Sequence, residues 1–487
     1  MLPGMLWCQL PGGDTAASVS RQLDLTEVLA MSEGSAEAQI ARHTFLASHW
    51  EYETVRKEIL PTLSFSGTLP QISRTFSKTT LPDGRETFVP QFYGDYSGGL
   101  QLSQFIPQTN TTITVGTSLE RLDIYGSERS KSYLATPFGI GISQSLFTYN
   151  ANRWERKLNP IKYSAARQRY LQEREAVYSR AVELYFDLLM AQEAYRSAAE
   201  DRAYADTLHA MAKEKHAGGK IVESELLEVE LNALQAGYEV ETGYDRWQEA
   251  LMALKDFLLA EDGVVWELAM PGRSTMPSLS VGKALAEAQA NNAAYHEFRQ
   301  REIEAEANLV QARTENRFSM EIYASFGLNQ NAGTLAGSYM DLLDQEMVSV
   351  GLNIPIVDWG RAKGRINMAR SEKEVELLRI GQEERDLERE IAVMVANFAS
   401  QERKVEIARR SFEVSEKRLE TEKLLYVMAK TDFSRYRDAR TDKDSSLDQY
   451  LEALKQYWLL YYSLREKTLY DFSTGEKISV SFKDLLR

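Results

Sequence analysis

The sequence predicts a mainly α-helical protein with β-strands, in which two repeats each pass from strands into very long helices. Over residues 136–146, apolar residues alternate with glycine and serine, which is typical of a strand with one apolar face. From about Arg153 to His216, apolar residues recur at helical spacing, and this run would make a helix of about 95 Å. The same order returns after Met347, where alternating residues precede a second helical run that begins at Arg361.

Equal spacings between corresponding positions indicate an internal repeat. Phe147 and Gly219 lie 72 residues apart, and so do Val357 and Ala429 in the second half. The matched lengths predict two helical hairpins that pack side by side, because a mismatch of one turn would misalign every packed layer.

The strand regions differ in length between the two halves. Pro61 and Phe147 lie 86 residues apart, whereas Arg317 and Val357 lie 40 apart, so the first half carries a surplus of 46 residues. This surplus fits one additional β-hairpin around residues 93–125. Unpaired strand edges are an aggregation hazard, so we expect neighbouring copies of the chain to close the strands into a barrel.

The first repeat begins with a predicted helix over residues 23–60, which a proline ends. Strands follow, with a turn at residues 82–84, a hairpin that turns near residues 107–110, and a returning strand over residues 130–147. After the long helix, two glycines at positions 218 and 219 can adopt positive φ and reverse the chain into a helix over residues 221–259.

The second repeat has the same order with fewer strands. A connector over residues 271–277 leads to a helical pattern over residues 279–310, and a strand is predicted over residues 321–329. Residues 348–354 alternate as a second strand, which precedes the helix that starts at Arg361.

Charge and hydropathy exclude some classes of partner. The net charge is −14 and there is no basic patch, so nucleic acid is not expected to bind. No window of about 18 apolar residues exists, so a chain that crosses a bilayer must use strands. Cys8 is the only cysteine, which excludes an intrachain disulfide, and the three residues before it lack the small side chains of a lipoprotein cleavage site. The segment before Arg21 is no complete signal peptide, and residues 1–22 are interpreted as the remnant of one.

Catalytic and metal-binding motifs are missing from the sequence. The histidines have no metal-ligand spacing, and they are His43, His49, His209, His216 and His296. Neither a GxSxG motif nor a phosphate-binding loop occurs. We therefore predict that the protein is not an enzyme and uses no cofactor or metal.

Taken together in their order and spacing, several segments resemble the TolC-like outer-membrane factor family, the outer membrane efflux proteins. They are LDLTEVLAMSEGS with the later LPTLSFSG, the junctions GISQSLFTYNANRW and GLNIPIVDWGRAKGR, the helix reversal GGKIVESELLEVE, and the closing LYYSLREKTLYDF. The resemblance runs from about residue 23 to residue 471.

The resemblance implies a trimeric outer-membrane β-barrel that is continued by a long periplasmic α-helical barrel, with two structural repeats and four barrel strands per chain. The additional hairpin would either widen the barrel or fold back as a loop outside it, and we expect it near the barrel. The implied segments are 1–22 (N-terminal), 23–270 (first repeat), 271–278 (connector), 279–471 (second repeat) and 472–487 (C-terminal tail).

The resemblance also implies a function. The chain would be the exit duct of a tripartite efflux system, a passive gated channel in outer-membrane lipid that works as a homotrimer with a periplasmic adaptor and an inner-membrane transporter. One alternative is an exit duct for type I protein secretion. Another is a non-pore periplasmic coiled-coil scaffold, which explains the helices but not the alternating strands beside each of them.

The family closes its periplasmic end with acidic side chains in the second helical hairpin. Asp438 matches one of the two acidic positions, Arg435 stands at the other, and Asp432 is close enough to supply replacement charge. We therefore expect a mixed-charge gate with pairs such as Arg435 and Asp438; the alternative is a solvated helix end. The residues implied to contact the adaptor at the ends of the two hairpins are Gly218, Gly219, Glu225, Glu228, Ala429 and Lys430.

Overall fold

The computed structural model describes residues 20–80, 84–125, 129–260, 265–272, 279–428, 430–431 and 433–486. The helices are α1 Leu25–Ser32, α2 Ala36–Lys57, α3 Ala151–Ala217, α4 Glu223–Leu258, α5 Val281–Asn291, α6 Ala293–Glu315, α7 Arg361–Val427, α8 Phe433–Thr468 and α9 Phe482–Leu485. The strands are β1 Ser20–Leu23, β2 Thr62–Thr80, β3 Glu86–Ile106, β4 Thr111–Ile124, β5 Ser130–Leu146, β6 Val265–Leu268, β7 Ser319–Ala332, β8 Leu343–Asn353, β9 Tyr470–Asp471 and β10 Glu476–Lys477.

The chain has two compact units, and each takes segments from both predicted repeats. The first comprises Met1–Leu46, Ala166–Tyr295 and Glu384–Arg487, and the second comprises Ala47–Ala165 and His296–Glu383. A repeat in the sequence is therefore not a compact unit of the structure.

The long helices confirm the predicted repeat. Both α3 and α7 have 67 residues, and both α4 and α8 have 36. Each helix of the second pair starts 210 residues after its counterpart, α7 at 361 after α3 at 151 and α8 at 433 after α4 at 223. Leu259 and Leu469, which follow the two returning helices at the same offset, have φ of 51° and 48°.

The predicted single helix over residues 23–60 is wrong, because the chain forms a short strand and two helices there. A capping box starts α1: the Asp24 carboxylate accepts from the Glu27 amide at 2.7 Å, and the Glu27 carboxylate accepts from the Asp24 amide at 3.1 Å. Between α1 and α2, the amides of Gly34 and Ser35 donate to carbonyls three residues earlier. This tight turn ends α1 before the helical pattern resumes.

The core of the first unit lies where the long helices pack together. Large side chains that are less than 2 % exposed come from α3, α4, α7 and α8, among them Tyr185, Leu188, Leu254, Phe398 and Tyr457. Ala181, Leu184 and Leu188, which belong to the run of apolar residues at helical spacing in α3, are all buried at this helix–helix contact. A parallel pair of short strands, β1 and β6, adds Leu23 and Trp266 to this core.

The second unit contains one antiparallel sheet in the order β2-β3-β4-β5-β7-β8. The resemblance implied four strands, and the structure has six, because β3 and β4 pair with each other and with the strands on either side. The hairpin turn predicted near residues 107–110 is confirmed between β3 and β4. Most of the predicted turn at residues 82–84 and of the connector at residues 271–277 lies outside the described residues.

A helix that crosses a bilayer needs about 20 consecutive apolar residues. In the described part of the chain, none of the helices contains an apolar stretch long enough to cross a membrane.

Candidate functional site

The reversal of the first helical hairpin, called here the first tip, follows the C-terminal end of α3. The Gly218 amide donates to the Glu214 carbonyl at 3.0 Å, and the Lys220 amide donates to the Lys215 carbonyl at 2.9 Å. Gly219 has φ of 67°, a left-handed conformation that favours glycine. Gly218 has no positive φ, so of the two predicted glycines only Gly219 supplies the conformation that reverses the chain.

The second tip repeats these bonds between α7 and α8. The Lys430 amide donates to the Leu425 carbonyl at 2.9 Å, which is the bond from Lys220 to Lys215 displaced by 210 residues. Ala429 and Asp432 lie outside the described residues, so their predicted roles at this tip stay predictions.

The other predicted charged residues of the tips are exposed. Glu225 and Glu228 lie on α4, and Arg435 and Asp438 lie on α8. Glu228 faces Arg437, with 3.9 Å between carboxylate and guanidinium. Arg435 and Asp438, both described, form no ion pair with each other within one chain, and their pairing in an assembly stays a prediction.

Beside the tips, aromatic side chains join the four long helices. Tyr436 of α8 is 2 % exposed and packs against Tyr204 of α3, with 5.0 Å between ring centroids. Tyr426 of α7 stacks on Tyr436, with 6.3 Å between ring centroids, and Val229 of α4 is buried in this cluster. Burial raises the pKa of the Tyr436 hydroxyl above its usual range, so this phenol stays neutral.

One turn further along α8, Arg440 connects three helices. Its Nε lies 2.6 Å from a carboxylate oxygen of Asp201 on α3, and its Nη2 lies 2.6 Å from Glu239 on α4. The Arg440 and Asp201 side chains are only 14 % and 7 % exposed, and Asp444 lies 3.8 Å from the guanidinium. We call Arg440, Asp201, Glu239 and Asp444 the Arg440 cluster.

The two signs of charge in the Arg440 cluster respond differently to burial. Burial raises the pKa of the Asp201 carboxyl although Arg440 opposes this shift. The pKa of Arg440 is raised by Asp201 and Glu239, which outweigh the opposing effect of burial, so the guanidinium stays charged. The cluster therefore combines a permanently charged guanidinium with a carboxylate whose charged form is disfavoured by burial.

The Arg440 cluster was not predicted from the sequence. The available signal was a charged residue within the apolar stripe of α8, since Arg440 follows buried Tyr436 by four residues and precedes buried Leu447 by seven. Its partners lie on helices that are far away in the sequence, so no local pattern identifies them.

The sequence matches the family model of outer membrane efflux proteins over residues 94–258 and 284–466, more than half of the chain. The chain belongs to the outer membrane efflux protein family. This confirms the resemblance, and the two matched segments flank the passage from the first repeat to the second. Members of this family are transport channels rather than enzymes.

Solved structures of outer membrane channels share the fold of this efflux protein. The CmeC channel of Campylobacter jejuni is 16 % identical, with a TM-score of 0.67 over 95 % of this chain and 88 % of that one. VceC of Vibrio cholerae is 12 % identical, with a TM-score of 0.62 over 93 % and 97 %. The MtrE channel of Neisseria gonorrhoeae in its open state is 15 % identical, with a TM-score of 0.60 over 94 % and 91 %. A comparison with curated protein sequences finds no match.

Proposed function

We propose that this protein is the outer-membrane exit duct of a tripartite efflux system. It works as a homotrimer and a passive gated channel, in which the sheets form a barrel in outer-membrane lipid and the helices form a periplasmic tunnel. A periplasmic adaptor and an inner-membrane transporter deliver the substrate, and the transporter supplies the energy.

The observation that carries this proposal is a sheet with two open edges in a chain with two helical hairpins of equal length. Within the described chain, β2 and β8 are each paired along one edge only. Exposed strand edges invite pairing with another strand, and a closed ring of identical chains removes every edge. A coiled-coil scaffold has no need for such a sheet.

The proposed gate lies at the second tip and comprises Asp432, Arg435 and Asp438. Both described side chains are exposed within one chain, as groups that meet across a three-fold axis must be. Like charges brought together at the axis repel each other, and an arginine among them offsets part of that repulsion. A partner that separates the tips would then open the gate.

The proposed adaptor-contact surface comprises both tips. Gly218, Gly219, Glu225, Glu228 and Lys430 are all exposed in one chain, which supports this assignment, and Ala429 is included by its sequence position.

The test is the behaviour of the purified protein in detergent and in a planar bilayer. We expect a trimer by light scattering and discrete conductance steps after reconstitution, with heat-dissociated protein as the inactive control. A monomer that stays soluble without detergent would contradict the proposal, as would a trimer that conducts no ions. Co-expression with a drug transporter and its adaptor should lower drug susceptibility, whereas export of a polypeptide alone would favour type I secretion.

A further inference from the structure

The two faces of the sheet differ chemically, and both faces continue through the additional hairpin β3–β4. Directly opposite residues of paired strands point to the same face, so the strand register defines rows of side chains. One such row is apolar from β2 to β7 and consists of Leu63, Leu102, Val115, Ile140 and Phe326. Two of these residues, Leu102 and Val115, belong to the additional hairpin.

The neighbouring rows of this face are mainly apolar, with Gln104 and Thr117 among them in the hairpin and Glu346 opposite Phe326 in β8. They contain Phe65 opposite Leu100, and Ile113, Ile142, Ala324 and Val348 in sequence across four strands. Phe65 is 71 % exposed and Val348 is 76 % exposed. A soluble surface rarely carries so continuous an apolar face.

The opposite face is mainly polar or lacks side chains, although Phe105 and Met347 also belong to it. Its rows contain Ser64, Gln101, Gly116, Gly139, Gly327 and Gln345, and next to them Ser103, Thr114, Gly141 and Ser325. At Gly116, a Cβ atom would lie 2.9 Å from the Leu100 carbonyl oxygen, so only glycine fits where β4 approaches β3. Hydrocarbon on one face and water on the other is the environment that this alternation fits.

Irregular pairing along β2 and β5 favours curvature of the sheet. The register shifts between Thr68 and Gln71, between Gly116 and Ser118, and between Ala135 and Phe138. Bulges of this kind bend a strand and increase its twist. The extra residues lie in β2 and β5, the two strands that flank the additional hairpin, so the sheet bends on both sides of it.

The turn of the additional hairpin is bonded to the chain on both sides of it. The side-chain amide nitrogen of Asn150 donates to the Pro107 carbonyl at 2.6 Å, and that of Asn110 donates to the Thr148 hydroxyl at 3.1 Å. On the other side, the side-chain amide nitrogen of Gln104 donates to the Ile59 carbonyl at 2.7 Å. These bonds hold the hairpin in line with the strands that flank it.

From the register and the two continuous faces, we infer that β3 and β4 are part of the membrane wall and contact the hydrocarbon chains of lipid. Each chain then supplies six wall strands, and three chains enclose eighteen instead of the twelve that four strands per chain would make. The inference rests on the proposed function, because the count requires a closed homotrimer.

The strand number sets the width of the channel. Barrel diameter grows roughly linearly with the number of strands, so eighteen strands give a bore about 1.5 times as wide as twelve. The inner rows line this bore mainly with serine, threonine, glutamine and glycine, and Glu120 and Glu321 lie on the same face. The duct would therefore pass bulky polar solutes through its membrane part.

The test places spin labels on both faces of the hairpin in the full-length protein, reconstituted in lipid vesicles, in a Cys8→Ser background. Labels at Leu102→Cys and Val115→Cys should be accessible to oxygen, which partitions into hydrocarbon, and protected from a water-soluble nickel chelate. Labels at Gln101→Cys and Thr114→Cys should show the reverse. Ile140→Cys on β5 is the matched control, since it shares the apolar row with Leu102 and Val115.

The outcomes separate the inference from the proposed function. If Ile140→Cys is lipid-exposed in a trimer while labels on both faces of the hairpin contact water, the hairpin is an outer loop and the inference is overturned. If the protein is not a trimer, or Ile140→Cys itself contacts water, the proposed function fails and the inference with it. A second test counts the barrel strands in a reconstruction of the wild-type trimer in lipid nanodiscs. Eighteen strands would support the inference, and twelve would overturn it.

Discussion

The guanidinium of Arg440 lies 2.6 Å from the carboxylate of Asp201 and joins α8 to α3 beside the tips of both helical hairpins. Arg440→Met leaves the Asp201 carboxylate buried without its cation. Breaking a buried ion pair in this way lowers the free energy of unfolding by about 3–5 kcal/mol. We expect a lower melting temperature and a higher bilayer conductance, because the tips are then less firmly held. Arg437→Met is the control, since Arg437 and Glu228 form a longer, exposed contact that contributes about 1 kcal/mol at most. An Arg440→Met channel with unchanged melting and conductance would show that this link does not hold the tips.

A second buried ion pair joins the same two helices at a distance from the tips. Arg465 Nε and Nη2 donate to the two carboxylate oxygens of Glu175 at 2.8 and 3.1 Å, and Glu175 is completely buried. Arg465→Met should destabilise the protein by about 3–5 kcal/mol, measured by thermal unfolding in detergent. The double variant with Glu175→Met should recover most of this loss, because the completely buried carboxylate is removed with its cation; Asp471, which also contacts Arg465 at 3.1 Å, keeps its hydrogen bonds from Tyr461 and Ser473. If the double variant is no more stable than Arg465→Met, the loss comes from packing and not from charge.

The first tip predicts a difference between two adjacent glycines. Gly219→Ala forces a Cβ into the left-handed region and should cost about 1–2 kcal/mol. Gly218→Ala is the control, because its new Cβ would meet the Glu214 carbonyl oxygen at an ordinary 3.5 Å. Thermal unfolding of the two variants should separate them, and equal melting temperatures would contradict the assignment of the reversal to Gly219.

The proposed gate predicts a change in permeability. Replacing Asp432 and Asp438 by alanine removes the carboxylates that pair with Arg435 in the proposed gate, and it should raise conductance or sensitivity to large antibiotics. Glu416→Ala, an exposed carboxylate of α7, is the control for loss of charge alone. If neither measurement changes, the second tip is not the aperture of the channel.

The raised pKa of Asp201 predicts a pH dependence with a definite sign. The folded carboxyl binds its proton at a higher pH than the unfolded one, so its charge costs stability above the raised pKa. This cost diminishes as the pH falls through the raised pKa towards the ordinary carboxyl value of about 3.9. We expect the wild type to gain stability on acidification relative to Asp201→Asn, which stays neutral. Asp206→Asn, an exposed carboxylate of the same helix, is the control, and an equal pH response in both variants would contradict the prediction.

Local patterns predicted the elements of this fold well where they were long and periodic. The start of α7 at Arg361 and the turn between β3 and β4 agree with the sequence, because helical and strand periodicities are properties of neighbouring residues. The predicted helix over residues 23–60 failed because a capping box at Asp24 and a tight turn at Gly34 override the apolar spacing.

The candidate site was predicted only in part. The positions of the tips followed from the repeat, whereas the Arg440 cluster did not, because Arg440 meets Asp201 and Glu239 only once three helices have packed at particular rotations. The exposed Arg435 and Asp438 stand as predicted on α8, and no local rule decides which charges they meet.

By itself, the sequence determined two repeats of matched helices, alternating strands and the family, since each of these depends on spacing along the chain. Only the tertiary structure decided that β3 and β4 lie inside a sheet of six strands and that Leu102 shares an apolar row with Ile140. The physical reason is that strand order and register are set by hydrogen bonds between segments far apart in the sequence, which a local pattern does not specify.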